Sequence, residues 1–578
     1  MKISIPVSIV IAVTGMAGFS ECKKSSGGIV NPPVDTTVVI TPPNDPALAS
    51  TIGFFGNDWT PKTFTAPAYT NADKPTSTAN ATVTVDMSNV RTKISKYLFG
   101  NNSNLWMGQI VDQPSLMSYI KDLSPNIIRA PAGSVSDVYF FNSQPNQKPA
   151  DVPDSLYDTN GNKIGAFYWS GKNTEGWTFA LDNYYQLLAQ TNSTGIITVN
   201  YGYARYGTSA DPVAAAAHLA ADWVRYDNGR TKFWEIGNES NGVWESSYKI
   251  DVTKNQDGQP EIVTGELYGN HFKVFVDSMK AAALSIGKTI YIGAQLLDSE
   301  PQGWQTTTDK TWNQGVLTQA GTTADFFIVH NYFTAWHTNA GTDEIIATGS
   351  SIPTNGMAYL KSQMTKYGVP VKPVAMTEWN IESEGSKQKV SNISGLHAVV
   401  AIAELMKNEF GQASRWDLAN GWSDGNDHGL FNSGDEPGAV KWNPRPAFYY
   451  LYYLQKYFGD KMVSATVSGD NSIISYASSY TSGQSGIVII NKGAAAKTVA
   501  VTMKNFRPGT NFYWHTLAGG GTSEFSGAVT VNNIGPSGAT GGPINYTSIK
   551  ANGATIQGGI TVSAPPRSAI FIAVENKK

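Results

Sequence analysis

Short apolar runs alternate with longer amphipathic stretches over the middle of the chain, between residues 94 and 459. The short runs predict strands, and the longer stretches, with apolar positions three and four residues apart, predict helices. Strands that alternate with helices form parallel sheets with right-handed crossovers, and eight such units close into a barrel. The fold class is therefore predicted as α/β, a (β/α)8 TIM barrel, with an open doubly wound sheet as the alternative. The predicted strands span 97–101, 126–130, 195–201, 232–237, 289–294, 325–332, 373–379 and 414–420.

The helical period disappears after residue 459, where short alternating runs separated by turn residues take over. These runs predict an all-β antiparallel sandwich over residues 460–578. A further alternating stretch, at 81–87, predicts a strand ahead of the barrel, and this strand could pair with the sandwich. The barrel with its leading strand is therefore expected over residues 81–459.

The first residues carry the pattern of an export signal. A mostly apolar run at 3–19 follows Lys2, and it is too short for a membrane span and typical of a secretory signal. It ends at Cys22, the only cysteine, so no disulfide can form within the chain. The stretch resembles a bacterial lipoprotein processing site, although Glu21 replaces the small residue usual there. Residues 1–22 are predicted to be a signal peptide, and the protein to be an outer-membrane or cell-surface lipoprotein acylated at Cys22, or otherwise secreted or periplasmic.

Residues 23–80 are dominated by Ser, Thr, Pro and Gly and predict a tether that cannot bury enough apolar surface to order itself. Phe54, Phe55 and Trp59 are aromatic exceptions that could dock onto the folded part. The sequence does not say where.

Composition narrows the classes of partner. Charged residues make up 15% of the chain and the formal net charge is -3, without a dense Lys/Arg stripe, which argues against nucleic-acid binding. The chain contains 15 Trp and 27 Tyr, whose flat rings suit neutral, hydroxyl-rich partners such as sugars. Neither a complete calcium loop, nor zinc-ligand spacing, nor a nucleotide-binding glycine loop is found, so we expect neither a metal nor a cofactor.

Two glutamates stand at the ends of predicted strands. Glu239 follows the fourth strand in WEIGNE, and Glu378 closes the seventh in VAMTEW, whereas Glu235 lies within its strand and is expected to point elsewhere. Carboxylates at the C-terminal ends of barrel strands lie at the active-site face. A retaining glycosidase needs two carboxyls about 5–5.5 Å apart. Glu239 is therefore predicted to be the general acid/base and Glu378 the nucleophile, the alternative being structural ion pairs at strand ends.

A strand-four Asn-Glu together with a strand-seven Glu resembles glycoside hydrolase clan A. Within that clan, KISKYLFG at 93–100, RAPAG at 129–133, GNE at 237–239, EWN at 378–380 and the trailing β-sandwich look most like family-51 α-L-arabinofuranosidases. The similarity spans about residues 84–574. Two departures, Ala132 in place of the usual Gly and Thr377 in place of a frequent Asp, bear on the substrate rather than the mechanism.

The resemblance implies roles for four supporting residues. Arg129 would orient the nucleophile, and Asn238 would contact the sugar 2-hydroxyl beside the cleaved bond. His330 and Tyr332 match the strand-six His-x-Tyr whose tyrosine hydrogen-bonds the nucleophile. Read alone, His330 is more typical of a hydrogen-bonded core histidine, and Arg129 of an ion pair at the barrel rim.

Trp379, next to Glu378, and Trp422, after the eighth strand, are predicted to be sugar platforms. The predicted function is that of a retaining hydrolase of plant or algal polysaccharide or oligosaccharide, foremost an α-L-arabinofuranosidase. An endo-acting β-glycanase on cellulose, xylan or an agar-type galactan is the alternative. A non-catalytic surface glycan-binding lipoprotein is a more distant one, because both glutamates are present. Membrane contact is expected only through the lipid at Cys22.

Overall fold

A computed structural model of the protein describes residues 40–131 and 133–577. The predicted signal peptide, the anchor site at Cys22 and the tether up to residue 39 lie outside the described residues, as does Ala132. Among the helices of the described part, not one has the length and apolar character needed to cross a bilayer.

Eight parallel strands form a closed barrel, which confirms the predicted TIM barrel. Sequential strands are neighbours, and the barrel closes where Ser414 of the last strand pairs with Gly100 of the first. Most of these strands are buried along their whole length, because helices cover one face and the barrel interior the other. The strands are β1 Gly100–Asn102, β2 Ile127–Ala130, β3 Thr194–Val199, β4 Thr231–Ile236, β5 Tyr291–Gln295, β6 Phe326–Asn331, β7 Val374–Trp379 and β8 Gln412–Arg415.

Amphipathic helices connect the strands and surround the barrel. Their starts carry ordinary capping chemistry: the Asp211 side chain accepts from the Ala214 amide, and Thr306 with Asp309 forms a capping box. The helices are α1 Pro114–Leu123, α2 Leu181–Thr191, α3 Gly202–Tyr206, α4 Pro212–Asp227, α5 Gly265–Ser285, α6 Thr307–Ala320, α7 Thr342–Lys366, α8 Asn392–Lys407 and α9 Pro446–Tyr457. Short two-stranded sheets in the loops pair Tyr139–Phe140 with Trp169–Ser170, Ser155–Tyr157 with Lys163–Gly165, and Ala419–Asn420 with Phe431–Asn432.

Residues 48–59 close the N-terminal end of the barrel. A single 3-10 turn, Gly53–Gly56, places the Phe54 ring 4.0 Å from that of Tyr291 and the Phe55 ring 4.7 Å from that of Phe233, measured between centroids. Phe55 is 1% exposed. The structure therefore corrects the predicted tether over this stretch, because the apolar side chains here find a preformed surface at the strand starts.

The C-terminal region is an all-β domain, as predicted, but its strands hydrogen-bond into one curled, mixed sheet rather than two separate antiparallel layers. The leading strand, Ala81–Lys93, lies inside this sheet, antiparallel to Lys461–Ser468 and parallel to Lys497–Lys504. It is thus part of the β domain and not of the barrel. The other strands are Tyr69–Asn71, Ile473–Ser479, Ser485–Asn491, Pro508–Gly519, Val529–Val531, Ala551–Thr555, Ile560–Ala564 and Ser568–Asn576.

Candidate active site

The two glutamates singled out in the sequence meet at the C-terminal mouth of the barrel. Glu378 is the second-last residue of β7, and Glu239 lies three residues beyond the end of β4. One oxygen of each carboxylate and a ring nitrogen of His330 all lie within 4.8 Å of one another. The Glu378 side chain is 5% exposed and that of Glu239 22%, so both face a largely dry site that is open on the side of Glu239.

Both carboxylate oxygens of Glu378 are held by donors. The Arg129 Nη1 donates to Oε1 at 2.7 Å, and the Tyr332 hydroxyl donates to Oε2 at 2.9 Å. Burial, followed by the charge of Glu378, raises the pKa of Tyr332 far above its ordinary value, which keeps the phenol protonated as a donor. The carboxylate is therefore fixed in one orientation.

Arg129 has further partners within the barrel. It is fully buried and donates to Glu235 at 2.7 Å, to Asn238 at 2.9 Å and to Asn102 at 3.1 Å. Glu235 thus points into the barrel interior as a counter-ion of Arg129, contrary to the expectation that it points elsewhere. Each of the three guanidinium nitrogens donates at least once and two carboxylates balance the charge, which is the condition under which a buried charge is tolerated.

Glu239 is bound by a histidine and a tryptophan. His330 Nδ1 lies 2.8 Å from Oε1, and the Trp244 indole donates to Oε2 at 2.9 Å. Burial alone would raise the pKa of Glu239, but the hydrogen bond and charge of His330, the Trp244 donor and the charge of Arg129 hold it below its ordinary value.

His330 shows the opposite shift. Burial alone would lower its pKa, but the charges of Glu378 and Glu239 and the hydrogen bond to Glu239 raise it above its ordinary value. Its other ring nitrogen lies 3.1 Å from the Thr377 hydroxyl. Both shifts favour a protonated His330 beside an ionised Glu239 in the free site.

Asn238 is held at both ends of its amide. Its oxygen accepts from Arg129, and its nitrogen donates to Glu245 Oε1 at 2.9 Å, which also accepts from the Ser134 hydroxyl at 2.7 Å. Burial and the charges of Asp137 and Glu239 raise the pKa of Glu245 well above its ordinary value. Glu245 and Asn102 were not found in the sequence, because both lie outside any motif and are defined only by their contacts across the barrel.

The two predicted sugar platforms differ in outcome. Trp379 is 1% exposed and packs edge-on against Phe333 at 6.3 Å, so it cannot stack on a ligand and that prediction is wrong. Neighbouring strand residues point to opposite faces: Glu378 points into the barrel and Trp379 towards the helices. Trp422 lies half-buried in the loop after β8, with the Arg445 guanidinium 5.6 Å from its ring centre, and remains a candidate.

A cavity of about 350 Å³ opens beside Glu239 on the side of β5 and β6. Trp244, 52% exposed, and Trp304, 85% exposed, border it, and polar lining comes from Gln295 and Asp298. Because this cavity adjoins Glu239, a leaving group that is protonated by that carboxyl has room to depart through it.

Glu239, His330 and Glu378 together also offer donor atoms with the spacing of a cation site. The guanidinium of Arg129 already supplies positive charge to Glu378, and the other two side chains are joined by their own hydrogen bond. This arrangement fits proton transfer and an ionised nucleophile without a further ion.

Comparison with known proteins agrees with the site. Residues 119–338, which contain Arg129, Glu239 and His330, match a family model described as the alpha-L-arabinofuranosidase 1 domain. A search of curated proteins found no match.

The fold is similar to that of many solved structures, three of which illustrate the range. Two are α-L-arabinofuranosidases, an arabinose complex from Thermotoga maritima (TM-score 0.59) and a family-51 protein from Thermotoga petrophila (TM-score 0.61), each 17% identical, covering 86% of this chain and 100% of theirs. The third is a family-44 xyloglucanase from Paenibacillus polymyxa, 13% identical, covering 86% of this chain and 99% of its own, with a TM-score of 0.55. At these identities the structures support the fold, and the family model carries the functional class. The family model confirms the resemblance to α-L-arabinofuranosidases over residues 119–338 and supports a glycosyl hydrolase.

Proposed function

We propose that the protein hydrolyses glycosidic bonds with retention, with Glu378 as nucleophile and Glu239 as general acid/base. The observation that carries this proposal is the separation of the carboxylates, which have one oxygen each within 4.8 Å. Retaining enzymes place their carboxyls about 5–5.5 Å apart, whereas inverting enzymes leave about 6.5–9.5 Å for a water molecule.

The contacts fit the two steps of such a reaction. Glu378, ionised and oriented by Arg129 and Tyr332, attacks the anomeric carbon while the Glu239 carboxyl protonates the departing oxygen. Negative charge is lost from Glu378 as the glycosyl-enzyme forms, so His330 loses the leading cause of its raised pKa, and its proton passes through Glu239 to the departing oxygen, which leaves Glu239 ionised. Glu239 then removes a proton from the water that hydrolyses the intermediate.

We propose α-L-arabinofuranosides as the substrate class. The matched family model supports this choice, since the stretch of this chain that it matches, residues 119–338, includes the proposed acid/base Glu239 and Arg129 on β2. Arabinofuranosyl groups are uncharged, which fits a site whose cations and anions are already paired with each other.

An endo-acting β-glycanase is the second candidate. Exposed tryptophans lie on opposite sides of the barrel mouth, with Trp304 in the loop after β5 and Trp106 in the loop after β1. An open cleft with aromatic residues at both ends suits a chain that passes through the site. Monosaccharide release from arabinan or arabinoxylan would support the first candidate, and release of oligosaccharides from an unbranched glucan or xylan the second.

Three measurements test the catalytic assignment. Glu378→Ala should abolish turnover of a 4-nitrophenyl glycoside, and azide should restore turnover to Glu239→Ala by attacking the glycosyl-enzyme without needing a base. Glu384→Ala is the matched control, since this side chain is exposed and pairs only with His337. Retained activity in Glu378→Ala, or an inverted anomer in the first product seen by NMR, would refute the mechanism.

A further inference from the structure

Four aromatic side chains form a continuous cluster in the loops that follow β1 and β2. We name this cluster, Trp106, Phe167, Trp169 and Trp177, the aromatic ladder. The ring of Trp169 lies at its centre, 6.4 Å from Trp106, 5.2 Å from Phe167 and 5.8 Å from Trp177 between centroids. None of these rings hydrogen-bonds to Glu239 or Glu378, whose partners are Arg129, Tyr332, His330 and Trp244.

The ladder is exposed on its outer side. Trp106 is 39% exposed, Trp177 49% and Phe167 62%. This concentration of solvent-exposed aromatic surface is unusual in a chain that buries most of its large rings. Contiguous exposed apolar surface of this kind marks an interaction site. Beside the ladder lies a groove of about 300 Å³, which is also lined by polar side chains including Asn146, Gln147, Asn173 and Glu175.

The ladder is connected to the catalytic mouth. The Trp106 indole donates to Asn420 at 2.9 Å, and Asn420 donates in turn to Asp417, which follows β8. In a closed eight-stranded barrel, β1 and β2 stand across the opening from β5 and β6. The ladder and the cavity beside Glu239 therefore lie on opposite rims, with the two catalytic carboxylates between them.

We propose that the aromatic ladder binds a neutral polysaccharide chain at a position remote from the cleaved bond. Sugar rings present apolar C–H faces that stack on indole and phenyl rings, and their hydroxyls suit the amides that line the groove. Continuity with the catalytic mouth means that the bound chain is the one being cleaved. This inference rests on the proposed function, and it identifies the substrate as a polymer rather than a short glycoside.

The test uses the double variant Phe167→Ala/Trp177→Ala in the full-length protein, because these two rings are the most exposed of the ladder and the least needed for packing. Ile164→Ala, 51% exposed in the neighbouring hairpin Lys163–Gly165, is the matched control. We expect kcat/KM on soluble arabinoxylan, branched arabinan or xyloglucan to fall about tenfold in the double variant, as the loss of two stacking contacts implies. Activity on a 4-nitrophenyl glycoside should be unchanged.

Affinity electrophoresis in gels containing the same polysaccharides separates binding from catalysis. Wild type and Ile164→Ala should be retarded by at least one polymer, and Phe167→Ala/Trp177→Ala should not. Equal retardation of the double variant, or no retardation of wild type by any of the three, would overturn the proposal.

If retardation depends on the ladder but no glycoside is hydrolysed, the binding inference stands and the proposed function fails. A monomer–dimer difference between wild type and double variant in size-exclusion chromatography would instead assign the surface to a second copy of the chain, and would also overturn the proposal.

Discussion

Arg129 joins the nucleophile to the rest of the active site, because its one guanidinium donates to Glu378, Glu235, Asn238 and Asn102. A lysine keeps the charge but cannot present donors in several fixed directions. We expect Arg129→Lys to lower kcat about a hundredfold, the size of effect that a displaced catalytic group causes. Arg129→Met should in addition lower the free energy of unfolding by about 3–5 kcal/mol, since it leaves two buried carboxylates unpaired.

Arg225→Lys is the control for this pair of variants, because Arg225 is a surface residue that pairs with Asp222 on the same helix. Its effect on kcat and on chemical denaturation should be negligible. Full activity in Arg129→Lys would show that the directional contacts of the guanidinium are not needed.

The raised pKa of His330 beside Glu239 predicts a specific pH dependence. The pKa of His330 is raised, so the pair keeps its proton above the ordinary histidine range and loses it as the pH rises through that raised value. Without the histidine, the proton that the acid/base must hold is carried by the Glu239 carboxyl alone, and a carboxyl loses its proton at lower pH than a histidine with a raised pKa. His330→Asn should therefore move the basic limb of the kcat/KM profile to lower pH and reduce activity most at neutral pH. An unchanged basic limb would place the dissociating group elsewhere.

Glu245 offers a test of a buried, protonated carboxyl beside the site. Its pKa is well above its ordinary value in the fold, so at neutral pH the folded state binds more protons than the unfolded state, and stability falls as pH rises. Glu245→Gln removes this dependence while keeping an oxygen for Asn238. The melting temperature of the variant relative to wild type should increase between pH 5 and pH 8, with activity largely retained, whereas Glu384→Gln should show no such trend.

Residues at strand ends were predictable from the sequence, and residues defined by packing were not. Glu239 and Glu378 stand where two apolar strands end, and the barrel order brings those ends together. Glu245 has no such signal, since it lies in an irregular loop and reaches Asn238 only through the fold. The error at Trp379 has the same origin: adjacency along a strand means opposite faces, and the sequence does not show which residue faces the barrel interior.

At the scale of elements, the segment that closes the barrel floor contributes to stability without approaching the catalytic face. Phe55 is buried against Phe233 and Phe326, and Gly411 approaches its ring so closely that a β-carbon there would lie 2.5 Å from it. Phe55→Ala should lower the free energy of unfolding by about 3–5 kcal/mol, the usual result of deleting a buried phenyl ring.

Activity of Phe55→Ala at temperatures below unfolding should stay near that of wild type, because the ring is at the opposite end of the strands from Glu239 and Glu378. Val440→Ala, at a side chain that is 79% exposed, is the control in thermal melts. A melt indistinguishable from wild type would mean that residues 48–59 do not close the floor in solution.

Secondary structure was predictable where the periodicity extends over whole units. Each predicted barrel strand corresponds to an observed one, although β1 begins at Gly100 because Lys96–Leu98 form a 3-10 turn. The sequence indicated that Phe54 and Phe55 could dock but not where, since a local composition typical of a linker does not reveal a complementary surface formed by distant strands. The alternating pattern of Ala81–Lys93 allowed pairing with the C-terminal strands to be foreseen, but not with which of them, because they lie more than 300 residues away in sequence.

At the scale of the molecule, the barrel and the β domain share one interior. Helix α9 presents Tyr453 and Tyr457 to the β domain, where Tyr457 and His515 Nδ1 are 2.5 Å apart and the Tyr453 hydroxyl donates to the Tyr546 carbonyl at 3.0 Å. Phe571 of the β domain belongs to the same hydrophobic core as these helices. The two domains should therefore unfold in a single cooperative transition, seen as coincident near-UV and far-UV circular dichroism melts; separated transitions would contradict a shared core.

The position of the leading strand makes a prediction about which fragment can fold. Ala81–Lys93 separates Lys461–Ser468 from Lys497–Lys504, so a fragment of residues 460–577 has two unpaired strand edges in the middle of its sheet and should aggregate.

A fusion tests this prediction. Lys93 pairs directly with Lys461, so residues 78–93 can be joined to residue 461 through a short glycine-rich turn. This fusion pairs both open edges and should therefore be more soluble than the fragment, while the face that packs on α9 is exposed in both. The same fusion carrying Val83→Asp and Val85→Asp, at two fully buried positions of the strand, should aggregate like the fragment, because charges cannot enter the β-domain core unpaired. A soluble, cooperatively folded fragment without residues 78–93 would show that the strand is an addition to the β domain rather than part of its structure.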